Sequence, residues 1–327
     1  MIKRIIYLGF FTALSTVCVF AQTPSSSPTA ASSPSPMSLE TVLAEAEKQT
    51  LNYREVFNNL LATETKTFEK YDKNGDLKNR TIVESLFFVY QSSKDEKTSS
   101  ELRNVVKVDD KLVPDSQARA DRFLGELQKT KTVENELEKI QDEGSRYDKT
   151  LKISGLTLYE AIALSPNLRP SFEFKLLGNE NYQGNEVFIV SYQQTKKSPF
   201  ITINEKQSKD RGLKANFDAS LPGSLKKTDV FLRGKLWIDA KTFQIWREER
   251  QLAVQTAEPI VTMETIFEYQ PSEYGIFVPK QISLLENSIK KNSKDDQYGA
   301  VKNSRVTFDY SKFRKSEVDV QIVDDDQ

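Results

Sequence analysis

Apolar residues at intervals of three and four follow Ser38 and predict an amphipathic α-helix. Ser38 is a good N-cap, because its hydroxyl can accept a hydrogen bond from a backbone N–H of the first turn. An apolar stripe on such a helix needs a surface to cover, and we expect that surface to be one face of a β-sheet. The stripe comprises Leu39, Val42, Leu43, Ala46, Tyr53, Phe57, Leu60 and Leu61.

Two strands joined by a tight turn are predicted next. Residues 63–71 and 80–90 are rich in Thr, Val, Ile and aromatic side chains, and the Asn-Gly pair between them is typical of a hairpin. The turn at 72–76 also begins like a calcium-binding loop, with acidic or amide side chains at alternate positions. Leu77 and Val83, however, stand where such a loop requires glycine and a bidentate glutamate, so we favour the hairpin.

The pattern changes to helical spacing in the middle of the chain. A short strand pair is predicted at 102–108 and 112–113, and Asp115 is a suitable start for a second helical region that stops near Gly144. A third helix is predicted at 156–164, where it meets a Ser-Pro pair. The two stripes of the second region are Ala120, Phe123, Leu124 and Leu127, then Val133, Leu137 and Ile140.

Strands dominate from residue 171 almost to the end of the chain. Few residues separate most neighbouring strands, which favours sequential pairing in an antiparallel meander. The polar stretch 195–227 is long for a connection, and we expect a mobile loop or an excursion over the sheet. The predicted strands are 171–176, 187–192, 229–239, 243–254, 260–269, 276–286, 302–310 and 318–323.

An export signal is predicted at the N-terminus. Lys3 and Arg4 precede an uncharged apolar run at 5–20, and the Val-Phe-Ala that closes it favours cleavage after Ala21. An uncleaved signal acting as an anchor is the alternative. The Pro- and Ser-rich stretch 22–37 lacks apolar periodicity and predicts a disordered linker. We therefore expect a periplasmic or secreted protein.

Composition narrows the possible chemistry. Without Lys3 and Arg4 the chain has 44 basic and 47 acidic residues, a net charge of −3, which argues against nucleic acid as a partner. No second apolar stretch is long enough for a transmembrane segment. The chain has no histidine, and its one cysteine, Cys18, lies in the signal. Ser-His-Asp and Cys-His catalysis and His- or Cys-based metal sites are thus excluded, and no catalytic, cofactor-binding or metal-binding residue is predicted.

The most distinctive segment is a tryptophan-containing hairpin at 232–249, LRGKLWIDAKTFQIWREE. A two-residue turn within it would pair Leu236 with Ile245 and Ile238 with Phe243 on one face of the sheet. The opposite face would then carry both tryptophans and the charged side chains.

The Gly-Lys-Leu-Trp-Ile-Asp and Ile-Trp-Arg-Glu sequences of this hairpin resemble the central hairpin of the LolA-like superfamily, which includes periplasmic lipoprotein carriers. The order of helix, strands, inserted helices and meander is similar too. The resemblance implies a single α+β domain over residues 38–327. Its fold would be a curved antiparallel sheet of about 9–11 strands, a half-open barrel with helices covering the concave face.

An apolar cavity for acyl chains between helices and sheet is also implied by the resemblance, although an ordinary filled core explains the same residues. A non-enzymatic carrier of a lipid or lipidated protein is the first functional hypothesis. The second is an envelope protein-interaction or sensing module that uses Trp237 and Trp246 on the outer face. A hydrolase that uses carboxylates alone is the third. The candidate cavity residues are Val42, Ala46, Tyr53, Phe57, Phe172, Phe174, Leu236, Ile238, Phe243 and Ile245.

Overall fold

Eleven strands form one antiparallel sheet in the described part of the computed structural model. The described residues are 37–58, 60–92, 95–116, 118–119, 144, 156–203, 215–217, 219, 221–291 and 297–315. The strands in chain order are β1 (Leu60–Tyr71), β2 (Leu77–Ser92), β3 (Asp95–Val108), β4 (Lys111–Leu112), β5 (Phe172–Tyr182), β6 (Asn185–Gln194), β7 (Ile201–Ile203), β8 (Ala215–Phe217), β9 (Val230–Asp239), β10 (Ile245–Val254), β11 (Ile260–Pro271), β12 (Phe277–Lys291) and β13 (Tyr298–Lys315).

The order of strands across the sheet is β4-β3-β2-β1-β13-β12-β11-β10-β9-β6-β5. Strands β9 to β13 pair sequentially, as predicted for a meander, and β1 then pairs with β13. The sheet does not close on itself, since β4 and β5 lie at its two ends. The predicted α+β class, with a curved half-open sheet, is therefore confirmed. Strands β7 and β8 form a separate parallel pair within the predicted excursion.

The helix α1 (Leu39–Phe57) lies on the concave face of the sheet. The Ser38 hydroxyl accepts a hydrogen bond from the backbone N–H of Thr41, which confirms the predicted N-cap. The helix ends earlier than its apolar stripe, because Asn58 is the C-cap and the predicted helical residue Leu60 begins β1.

The first hairpin has the predicted turn. The Asp72 carboxylate accepts hydrogen bonds from the backbone N–H groups of Asn74 and Asp76. Gly75 has a φ of 88°, a left-handed conformation that glycine adopts without a steric penalty. These backbone hydrogen bonds also hold the pKa of Asp72 below its ordinary value.

The pairing of β9 with β10 differs from the predicted register. Ile238 lies opposite Ile245, and Leu236 lies opposite Glu248. The predicted pairs, Ile238 with Phe243 and Leu236 with Ile245, are wrong. Because Leu236 faces the interior, the corrected register places the Glu248 carboxylate in the interior as well.

A longer turn than predicted explains this shift. The Asp239 carboxylate accepts hydrogen bonds from the backbone N–H groups of Lys241 and Thr242, which holds a loop wider than two residues. Phe243 has a φ of 59°, and a bulge interrupts the ladder between Ile245 and Arg247. The hydrogen bonds that Asp239 accepts in the turn therefore determine which charged side chains of β10 face the core.

Several predictions lie outside the described residues. They are the export signal at 1–21, almost all of the linker, both stripes of the second helical region, and the last strand at 318–323. Among the described helices, none is both long and apolar enough to cross a membrane.

Candidate functional site

The interior between sheet and helix is the candidate site, and it contains the residues predicted to line a cavity. Of these ten, all except Phe174 and Phe243 are buried, and those two pack against the same apolar cluster. Tyr53 stacks on Phe57 with ring centroids 4.9 Å apart, and Phe243 stacks on Phe188 at 6.3 Å. The fold therefore brings these side chains into one continuous apolar interior.

Residues 156–171, here called the cover segment, also lie over the inner face. The predicted helix at 156–164 is wrong, because the segment consists of short 3₁₀ turns at Thr157–Tyr159, Ile162–Leu164 and Arg169–Ser171. Ala161 has a φ of 42°, a left-handed conformation that ends a right-handed helix. The buried apolar side chains of the cover segment are Leu158, Ala161, Ile162, Ala163, Leu164 and Leu168.

The cover segment is also joined to α1. Arg169 donates to the carboxylates of Glu40 and Glu47 at 2.6 and 2.7 Å. The Tyr53 hydroxyl donates to the backbone carbonyl of Thr157 at 2.9 Å. Helix and cover segment are thus connected by both charged and neutral hydrogen bonds.

A buried carboxylate on β3 holds the start of the cover segment. Glu101 accepts hydrogen bonds from the backbone N–H and the hydroxyl of Thr157, both at 2.6 Å. The other Glu101 oxygen accepts from the Arg103 guanidinium at 3.1 Å. Hydrogen bonds to a charged acceptor are among the stronger ones in proteins, so Glu101 fixes this turn against the sheet.

Arg103 forms the centre of a buried ionic network. It donates to both carboxylate oxygens of Glu64, at 2.7 and 2.9 Å, and its guanidinium lies over the Phe87 ring. The Tyr310 hydroxyl donates to Glu64 at 2.9 Å. Burial alone would raise the pKa of Glu64, but the charges of Arg103 and Lys66 outweigh it and leave that pKa below its ordinary value.

A second carboxylate, on β10, holds the middle of the cover segment. Glu248 accepts a hydrogen bond from the backbone N–H of Ala161 at 3.1 Å. It also accepts from the Tyr192 hydroxyl at 2.7 Å and from Arg250 at 2.9 and 2.7 Å. Both oxygens of Glu248 are therefore engaged, which suits a structural carboxylate better than a general base.

Glu160 brings another carboxyl into this region, with only 3% of the residue exposed. Burial raises its pKa well above the ordinary value, and the negative charge of Glu248 raises it further. The fold therefore favours the protonated form of this carboxyl. The Tyr269 hydroxyl is also buried and has no hydrogen-bond partner among the described residues.

The described part of the chain has no ready set of ligands for a metal ion. No group of three or more Asp, Glu, His or Cys side chains there is arranged to hold a metal ion. The third hypothesis, a hydrolase, needs two carboxyl groups that converge in a cleft. Glu248 accepts a hydrogen bond from the residue after Glu160, but both carboxyl groups are buried rather than exposed in a cleft.

The two tryptophans lie in different environments. Trp237 is partly exposed, donates to Glu180 at 2.6 Å and lies under the Arg247 guanidinium. Trp246 is only 5% exposed, and its indole N–H donates to Asp239 at 2.9 Å. The prediction of Trp246 as an outer-face contact is therefore wrong, because the bulge in β10 places its ring against Phe277.

The buried charges were not predicted from the sequence. In β1, Glu64 and Lys66 lie in phase with the apolar residues Ala62 and Phe68, a signal that both side chains face inward. Burial of Glu248 was not predicted, because the predicted β9–β10 register placed the charged side chains on the outer face. The cover-segment contacts join residues far apart in sequence, and no local pattern indicates them.

Comparison of the chain with protein-family models found no match. Comparison with curated proteins found none either. Among solved structures, a DUF1329 family protein from Desulfovibrio piger matches at 11% identity and a TM-score of 0.38, over 86% of this chain and 95% of that one.

Two further solved structures have similar values. A putative outer membrane lipoprotein-sorting protein domain from Vibrio parahaemolyticus matches at 10% identity and a TM-score of 0.32, over 83% of this chain and 94% of that one. A LolA superfamily protein from Nitrosomonas europaea matches at 9% identity and a TM-score of 0.32, over 86% and 96%.

Proposed function

We propose that this protein is an exported, non-enzymatic carrier that takes up a hydrophobic ligand, a lipid or a lipidated protein, against the inner face of its sheet. One observation carries the proposal. Among the described residues, the apolar inner face is closed by α1 and a segment of short turns, and buried side-chain hydrogen bonds fasten that segment at Thr157 and Ala161. Such a cover can separate from the sheet without breaking any strand pairing.

Burial of the cover segment's apolar side chains and burial of an acyl chain contribute free energies of similar size. Burial of a Leu or Ile side chain contributes about 1.5–3 kcal/mol, so the four such residues of the cover segment contribute roughly 6–12 kcal/mol. A fatty acyl chain of about 16 carbons, at about 0.8 kcal/mol per buried CH₂, supplies ~12 kcal/mol. An acyl chain can therefore replace the apolar contacts of Leu158, Ile162, Leu164 and Leu168.

Two interior groups favour a ligand with a polar head. The Tyr269 hydroxyl is buried without a partner among the described residues, and Glu160, whose pKa is raised by burial, lies in its electrostatic neighbourhood. An unsatisfied buried hydroxyl costs free energy unless something bonds to it. A carboxyl, ester or amide at the end of an acyl chain would supply that bond.

A fluorescent long-chain fatty acid tests the proposal directly. Protein stripped of lipid on a hydrophobic resin is titrated with the probe, and we expect saturable binding of one or two molecules. Thr157→Ala removes one hydrogen bond to Glu101. Because a hydrogen bond to a charged group contributes about 1.5–3 kcal/mol, the open state should become roughly tenfold more populated or more, and uptake faster to match.

Thr242→Ala is the matched control. It also removes a threonine-to-carboxylate hydrogen bond, here to Asp239, but in the β9–β10 turn rather than in the cover segment. Uptake should stay within about twofold of wild type in this variant. Non-saturable binding of the probe would contradict the carrier proposal. Equal uptake rates in both variants would contradict the role given to the cover segment.

A further inference from the structure

A groove of about 610 Å³ lies on the outer face of the sheet, opposite the proposed carrier site. It crosses β5, β6, β9 and β10, and its floor includes the backbone at Gly234. This volume is in the range of specific binding sites. The side chains that line it include Glu173, Lys175, Arg233, Lys235, Glu249 and Gln251, and we call it the outer groove.

Most charges in the outer groove are neutralised within the fold. Lys175 forms an ion pair with Glu173 at 3.3 Å, and Glu249 forms one with Arg247 at 2.8 Å. Arg233 and Lys235 form no ion pair with any residue that the structure describes; Arg233 donates only to the neutral Gln251 amide. Two cations on one face of β9 thus remain available to an anionic ligand.

Neutral hydrogen-bonding groups surround these cations. Gln193 lies opposite Arg233 on one side and Gln251 on the other, while Ser191 lies opposite Lys235. Amide and hydroxyl side chains both donate and accept hydrogen bonds, as a peptide backbone requires. The groove therefore combines a focus of positive charge with groups that suit an extended chain.

We infer that the outer groove binds an acidic, extended peptide segment of a partner protein. A membrane surface is a poorer match, because the outer groove has two available cations, whereas recognition of an anionic lipid surface typically uses clusters of about 4–8 Lys or Arg side chains. A peptide can place its carboxylates beside Arg233 and Lys235 while its backbone reaches Gln193. The charge complementarity lies in these two cations, and it does not depend on the carrier proposal.

Calorimetric titration of the full chain with an eight-residue Glu-Ser repeat peptide tests this inference. We expect the peptide to bind, and the Arg233→Gln/Lys235→Gln variant to bind at least tenfold more weakly. A Gln-Ser peptide of equal length should bind at least tenfold more weakly to wild type. Raising the salt concentration should weaken the acidic peptide's binding, because the contacts are ionic.

The matched control is Lys241→Gln/Lys280→Gln, which removes two exposed positive charges away from the groove. It should bind the acidic peptide within about twofold of wild type. Equal weakening in both double variants would overturn the inference, since net charge rather than the groove would then govern binding. Absence of peptide binding, or binding only to vesicles rich in anionic phospholipid, would overturn it too. Fatty-acid binding should be the same in all of these variants, so the two proposals can fail separately.

Discussion

The carboxylate of Glu248 in β10 accepts a hydrogen bond from the backbone N–H of Ala161 at 3.1 Å, so one strand of the sheet holds the cover segment directly. The same carboxylate neutralises Arg250, which is itself buried over the Phe267 ring. Despite burial, the charge of Glu248 raises the pKa of Arg250. One side chain, Glu248, therefore both neutralises Arg250 and holds the cover segment over the sheet.

Glu248→Gln is expected to destabilise the protein strongly. It removes the negative charge that neutralises the buried Arg250 guanidinium, and breaking a buried ion pair in this way typically costs about 3–5 kcal/mol. The measurement is the free energy of unfolding in urea. The control is Glu249→Gln, whose ion pair with Arg247 is partly exposed and should contribute about 1 kcal/mol or less. Equal losses in the two variants would refute the buried role of Glu248.

The stability of wild type should fall as the pH rises, because burial disfavours ionisation of the Glu160 carboxyl. Its folded pKa is raised, so its contribution to stability is complete below the unfolded pKa of about 4.3 and is lost as the pH climbs toward the folded value. Glu160→Gln cannot ionise. Its free energy of unfolding should therefore gain on wild type by up to about 1.4 kcal/mol per pH unit as the pH rises from about 4.3 toward the folded pKa. A difference that does not change with pH would contradict the raised pKa of Glu160 in the folded protein.

Two buried tyrosines should respond in opposite directions to loss of their hydroxyl groups. Tyr269→Phe removes a hydroxyl without a partner in the described structure, so lipid-free protein should keep its stability or gain about 1 kcal/mol. Tyr310→Phe removes the hydrogen bond to Glu64 and should cost about 1.5–3 kcal/mol, because the acceptor is charged. Thermal and urea unfolding measure both. A loss in Tyr269→Phe as large as that in Tyr310→Phe would contradict the assignment.

Tryptophan fluorescence can separate the two indoles, since the chain has only two tryptophans. In Trp237→Phe the remaining emission comes from Trp246, which is buried, so it should be blue-shifted and resist quenching by acrylamide. In Trp246→Phe the emission comes from the partly exposed Trp237 and should be quenched more easily. Equal quenching in the two variants would contradict the burial of Trp246.

Local patterns predicted the elements whose causes are local. The N-cap at Ser38 and the turn at Asp72 each depend on side chains within a few residues, and the meander follows from short connections between strands. The β9–β10 register was not predictable in the same way. It depends on how many backbone groups Asp239 binds, and an Ala-Lys turn of two residues satisfies the same alternation.

The candidate site was predictable only in its apolar part. The apolar residues at 42, 46, 53 and 57 of α1 repeat at near-helical spacing, so the sequence indicates which face of the helix is buried. The polar fastenings join Glu101 to Thr157 and Glu248 to Ala161, across 56 and 87 residues. No periodicity encodes such contacts. They arise only once the sheet has placed two inward-facing carboxylates beneath the cover segment.

Native mass spectrometry of the chain purified from a periplasm, followed by organic extraction, tests the carrier proposal most directly. Because the inner face is apolar and closed by a displaceable cover, we predict a stoichiometric adduct whose extract contains a lipid or an acylated peptide. Glu249→Gln, on the outer face, should carry the same adduct. A bare protein mass in every preparation, with nothing in the extract, would contradict the carrier proposal.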